Sequence, residues 1–168
     1  MKIYYDYTNK RARIDIEEGY EARKTYIRRY DIDEEYMIRP SPIDDCKYSF
    51  LDEIMPYPDV PAVYVREETV KTINGDDVIT NYYLFEEYDA RIHVYMNKIN
   101  GAPVRVIQEG EHDGQSIPLL TYDYYDVVLE EPKISLFTLP ATYVKDDTCL
   151  NHLGGFPYQH IFHYFVRF

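Results

Sequence analysis

The segment Ala90-Arg-Ile-His-Val-Tyr-Met-Asn97 alternates without a break, Ile92, Val94 and Met96 falling at every second position between Arg91, His93, Tyr95 and Asn97. A period of two marks a β-strand with one covered face, because successive side chains point to opposite sides of the backbone. Asn100-Gly101 follows, a pair that adopts the positive φ of a tight hairpin, and Pro103-Val-Arg-Val-Ile-Gln108 runs back. Two further runs flank this pair, Val78–Tyr88 before it and Ile117–Leu129 after it. The simplest architecture is an antiparallel meander with a covered concave face. Its expected lining is Ile92, Val94, Met96, Val104, Val106, Leu120, Tyr122 and Tyr124, with Arg91, His93 and Asn97 facing outward.

Elsewhere the same reasoning assigns strands more briefly. Lys2–Tyr7 and Arg11–Ile16 flank a short turn at Thr8-Asn9-Lys10, and in the second run Ala12, Ile14 and Ile16 alternate with Arg11, Arg13 and Asp15. Thr25–Tyr30 and Tyr36–Arg39 read as strands, and Ala62–Thr72 as another, closed by Asn74-Gly75. Cys46–Met55 is expected to hold a short helix or turn, stopped by Pro56 and Pro58. Glu109–Gly114 reads as a polar loop, Glu131-Pro132 as the end of the last long strand, and Ser135–Pro140 as an extended segment able to cover the sheet. No internal repeat or long linker stands out.

A chain of 168 residues is long enough for a real core. Its net charge of −12 argues against nucleic acid and anionic membrane surfaces, since phosphate binding requires clustered Lys and Arg. Twenty tyrosines without a tryptophan suit half-buried strands, where the ring packs and the hydroxyl finds a polar partner. No stretch reads as a transmembrane helix, the amino terminus lacks a signal-peptide layout, and no Asn-x-Ser/Thr acceptor occurs. The compartment is therefore left open. Cys46 and Cys149 allow one disulfide without establishing it.

The sequence makes no strong case for an enzyme. His160 and His163, with His152 nearby, are the best metal candidates, but no third ligand accompanies them in a known spacing. Glu109, Glu111, His112 and Asp113 lack the ligand periodicity of a calcium loop. Asp123 and Asp126 do not share a strand face, and a paired-carboxylate hydrolase needs a second acid from elsewhere. No family signature surrounds Cys149, and Gly154-Gly155 lacks the lysine of a phosphate loop. Arg11 and Arg13 are expected to pair with carboxylates. No catalytic residue, metal or cofactor is assigned.

Several segments, in order, resemble the eukaryotic LolA-like group, which includes ependymin-related proteins and the amino-terminal, non-catalytic domain of some invertebrate papain-type proteases. They are Ile3-Tyr-Tyr-Asp6 with Lys10-Arg-Ala-Arg-Ile-Asp15, then Asn81-Tyr-Tyr-Leu84, Ile92-His-Val-Tyr-Met-Asn97, Gly101-Ala-Pro-Val-Arg105 and Ser135-Leu-Phe-Thr-Leu-Pro140. The resemblance implies a mainly β fold, a curved antiparallel half-barrel over residues 1–145 with short helical segments. Its concave side would hold an apolar ligand or a covering helix, and a secretory or vesicular compartment would be compatible. Residues 146–168 form an aromatic, histidine-rich extension outside the resemblance.

Such a tail must dock on something. Phe156, Tyr158, Ile161, Phe162, Tyr164, Phe165 and Phe168 are its expected partner-binding residues. The reading is a non-enzymatic hydrophobic-binding module acting as a subunit of a larger protein assembly. The alternative is a carrier of a lipid or small apolar ligand.

Overall fold

In the computed structural model, residues 1–19, 22–57, 62–87, 90–112 and 115–156 are described. The chain is mainly β and divides into two compact units, one formed by the amino-terminal residues to 58 with the segment from Glu131 onward, the other by the intervening residues 59–130.

The first unit begins as a meander of β1 (Lys2–Asp6), β2 (Arg11–Ile16), β3 (Lys24–Arg29), β4 (Glu34–Arg39) and β5 (Asp45–Phe50). The alternation read in β2 is real: Ala12, Ile14 and Ile16 are buried and Arg11, Arg13 and Asp15 are not. Registers Ile14↔Tyr26 and Tyr26↔Met37 set one apolar cluster on one face, which Met55 and Phe156 complete. Ile27↔Tyr36 and Tyr36↔Tyr48 set the other, completed by Phe137, Cys46 and Cys149. Covering on both faces explains why β3 and β4 bury three and four consecutive residues rather than alternate ones.

Two local expectations fail here. Cys46–Met55 is not helical: Asp45–Phe50 is β5, because Cys46, Tyr48 and their neighbours pair in register with Ile38 and Tyr36 of β4. Ser135–Pro140 is not extended throughout: Ile134–Phe137 is a short 3-10 turn that inserts Phe137 into the second cluster. Its covering role stands, with Arg13 donating to the Leu136 carbonyl at 2.9 Å. Beyond it β11 (Leu150–Asn151) adds to β5 in parallel, and the Cys46–Cys149 disulfide ties the two, with Cα atoms 4.5 Å apart.

The second unit is a five-stranded antiparallel meander of β6 (Val63–Lys71), β7 (Asp77–Glu87), β8 (Ala90–Asn97), β9 (Pro103–His112) and β10 (Gln115–Asp123). The strands therefore lie in two sheets, where the sequence suggested one. Glu109–His112 is strand rather than loop, since its backbone pairs with both β8 and β10. β10 also stops at Asp123, well before Glu131-Pro132; Asp126 adopts a positive φ of 54°, which no strand accommodates. Three register shifts, at Tyr64/Arg66, Tyr95/Met96 and Pro118/Leu120, interrupt the ladder. Such bulges bend and twist the strands that carry them.

Candidate functional site

The candidate site is the five-stranded sheet, whose two faces differ in chemistry. Register places Tyr83, Val94, Val106 and Tyr122 in one row, since Tyr83 pairs with Val94, Val94 with Val106 and Val106 with Tyr122. Alternation adds Ile92, Met96, Val104 and Leu120 to the same face, and Tyr124 continues it, its N–H donating to Val104 O at 2.9 Å. All eight expected lining residues thus share one face. Ile92, Val94, Val104 and Val106 are buried, while Met96, Leu120, Tyr122 and Tyr124 are half-buried. Burial drives the Tyr124 hydroxyl pKa far upward, with Tyr122 adding to the shift. Towards the rims Tyr64 and Ile79 on one side, and Ile117 and Leu119 on the other, remain exposed. At Gly110 the backbone passes beneath Leu119, and a Cβ there would meet the Leu119 side chain at 2.6 Å.

Arg91 is exposed, as expected of the opposite face, but His93 and Asn97 are only half-exposed there. A row crossing all five strands accounts for His93. Arg66 pairs with Glu68 at 2.9 Å and lies 5.0 Å from the Tyr82 ring centroid. Tyr82 stacks on Tyr95 at 5.0 Å and on His93 at 5.8 Å, and its hydroxyl is 2.8 Å from His93 Nδ1. His93 Nε2 lies 3.1 Å from Glu109, in ion-pair range though without an in-line hydrogen bond. Ser116 donates to the same carboxylate at 2.6 Å. The Ser116 hydrogen bond, then His93 and Arg91, hold the Glu109 carboxyl below its ordinary pKa, whereas burial raises that of Tyr82. Beside the row Arg105 pairs with Asp123 at 2.5 Å. Cross-strand pairs of this kind lock register, each by about 0.2–1 kcal/mol. The row escaped sequence reading because its members come from five strands; the only local signal was the alternation of His93 with Ile92 and Val94.

The remaining candidates fall elsewhere. Phe156 belongs to the first unit's own core, its ring stacked on His152 at 5.4 Å and its N–H donating to Glu35 at 3.1 Å. Tyr158, Ile161, Phe162, Tyr164, Phe165 and Phe168, and the metal candidates His160 and His163, lie outside the described residues. Among the described residues no group of three His, Cys, Asp or Glu side chains is placed to hold a metal ion. Arg11 pairs with Asp31 at 3.2 Å and Arg13 with Asp15 at 2.9 Å, so both guanidinium groups have carboxylate partners.

The fold and the two-faced sheet define a mainly antiparallel β protein of two units, with a disulfide in the first and an apolar sheet face in the second. No protein-family model matches the chain, and no curated protein matches it. No helix among the described residues is long and apolar enough to cross a membrane.

Proposed function

We propose that the chain is a non-enzymatic binding module that uses the apolar face of its five-stranded sheet as a subunit of a larger protein assembly. The observation that carries the reading is the rim of that face: Tyr64, Ile79, Ile117 and Leu119 extend an apolar surface outward from a buried centre. Exposed apolar area next to a buried apolar centre gains free energy when a partner covers it, by about 25 cal/mol per Å² before association costs. The in-line order of the LolA-like segments supports a half-barrel of that group, and the three bulges fit a bent sheet. In that group a concave apolar face is a ligand site, so a lipid or small apolar molecule against Met96, Leu120, Tyr122 and Tyr124 is the second reading.

The disulfide supports an oxidising compartment, because glutathione and thioredoxin keep thiols reduced in the cytosol. Native mass spectrometry of the protein purified from its own source tests the assignment. The expected spectrum contains the chain with stoichiometric protein partners. A bare chain carrying an extractable lipid would move the assignment to the carrier, and a bare, empty monomer would remove both readings.

A further inference from the structure

Both hairpin turns at one end of the five-stranded sheet are closed by the same tripeptide, Ile73-Asn74-Gly75 between β6 and β7 and Ile99-Asn100-Gly101 between β8 and β9. In an antiparallel meander these turns lie at the same end, and β10 also finishes there. Turn geometry accounts for two of the three residues. Gly75 and Gly101 have φ of 90° and 71°, and Asn100 accepts the Ala102 N–H through its side chain at 3.0 Å. Nothing in a tight turn calls for isoleucine, a β-branched apolar residue. Yet Ile73 is 63 % exposed and Ile99 93 % exposed, so neither completes a core. Ile79, 56 % exposed, stands just behind them: the Lys98 N–H donates to its carbonyl at 3.0 Å. Val128 and Leu129 are exposed on the segment that follows β10.

We propose that this hairpin end of the sheet is a membrane-docking surface, in which Ile73 and Ile99 enter the interfacial layer of a neutral, zwitterionic bilayer. Three features select a lipid surface over a protein pocket. The isoleucines stand on two separate convex tips, a shape that sinks into a soft phase but has no single rigid complement.

The backbone at the tips is largely satisfied from within, as a low-dielectric phase demands. Between Lys98 and Ala102 four of the five N–H groups, all but that of Asn100, donate inside the protein. At the other tip Thr72, Gly75 and Asp76 do the same. Finally, the lysines nearest the tips are paired, Lys71 with Asp77 at 3.0 Å and Lys98 with Glu67 at 2.6 Å, while Asp76 in the first turn is an exposed carboxylate that leaves this end with net negative charge. A chain of net charge −12 with its nearby lysines paired has nothing to offer an anionic headgroup, which leaves insertion of apolar side chains as the driving force. This surface adjoins the apolar sheet face at Ile79, but its two tip residues, Ile73 and Ile99, belong to the turns and not to that face, so the proposal does not depend on how the face is used.

Co-sedimentation of the full chain with phosphatidylcholine vesicles tests the proposal, using Ile73→Ser, Ile99→Ser and the double variant. Wild type is expected to pellet with the vesicles at millimolar lipid. Each single substitution should lower the partition coefficient about tenfold, the value of one inserted isoleucine, and the double variant should stay in the supernatant. Adding phosphatidylserine should not strengthen binding. As a direct reading of insertion, a polarity-sensitive dye on Ile99→Cys should shift to the blue when phosphatidylcholine vesicles are added. Four results would overturn the proposal: no binding of wild type, binding that requires phosphatidylserine, a double variant that binds as wild type does, and lipid-free self-association lost in the double variant.

Discussion

Removing the disulfide is the sharpest test of how the first unit is held together. Cys46 and Cys149 are 103 residues apart in sequence, and both sulfurs lie in the cluster of Ile27, Tyr36, Ile38, Tyr48 and Phe137. In the chain-entropy model, closing a loop of that length stabilises the folded state by about 4.7 kcal/mol, by restricting the unfolded chain. The pair Cys46→Ala and Cys149→Ala also removes two buried sulfurs, adding about 1 kcal/mol each for lost packing. The sum is comparable with the whole stability of many domains, about 5–15 kcal/mol. Urea unfolding followed by circular dichroism should show the midpoint falling by about 3–3.5 M, for an m-value of about 2 kcal/mol per M. Both cysteines belong to the first unit, so hydrogen exchange should locate the loss of protection in β2–β5 rather than in β6–β10. A midpoint shift below about 0.5 M, or protection lost evenly across both sheets, would refute the reasoning.

Val94 is 1 % exposed at the centre of the apolar sheet face, and Val94→Asp should abolish folding of the second unit by burying an unpaired charge; retained β-sheet circular dichroism and solubility would contradict the facing of β8. Arg28, 2 % exposed, pairs with Glu35 at 3.3 Å and Glu53 at 3.2 Å, so Arg28→Ala should cost about 3–5 kcal/mol by leaving Glu35 charged and buried, while Glu35→Gln in the same background should recover part of that loss in thermal unfolding. Hydrogen bonds from Arg29, then Arg11, hold the Asp31 carboxyl below its ordinary value. A depressed folded pKa contributes stability that is present above the unfolded aspartate value of about 3.9 and is lost as pH falls through the folded value, so Asp31→Asn should flatten the acid limb of a stability–pH curve below about pH 4 and leave its shape at pH 6–8 unchanged.

Local patterns settled much of this protein from sequence. Period-two alternation placed β2 and β8 to the residue, and Asn74-Gly75 and Asn100-Gly101 located two hairpins, because side-chain direction and turn φ depend only on neighbouring residues. The same alternation grouped the eight residues expected to form a lining on one face. What remained hidden depends on pairing over long distances. Asp45–Phe50 becomes a strand because β4 lies beside it, and Glu109–His112 because β8 and β10 flank it, whereas its polar residues taken alone read as a loop. The division into two sheets was not legible, since no composition shift or linker marks residues 59–130. Nor was the polar row from Arg66 to Ser116: its contacts join five strands, and a lone alternating histidine reads as an outward-facing residue until Tyr82 and Glu109 are brought beside it. Cys46 and Cys149 were the only possible pair, yet only the parallel addition of β11 to β5 brings their Cα atoms within bridging distance. Burial and pairing are properties of the assembled sheets, and a one-dimensional pattern carries them only where one strand's own alternation already implies the face.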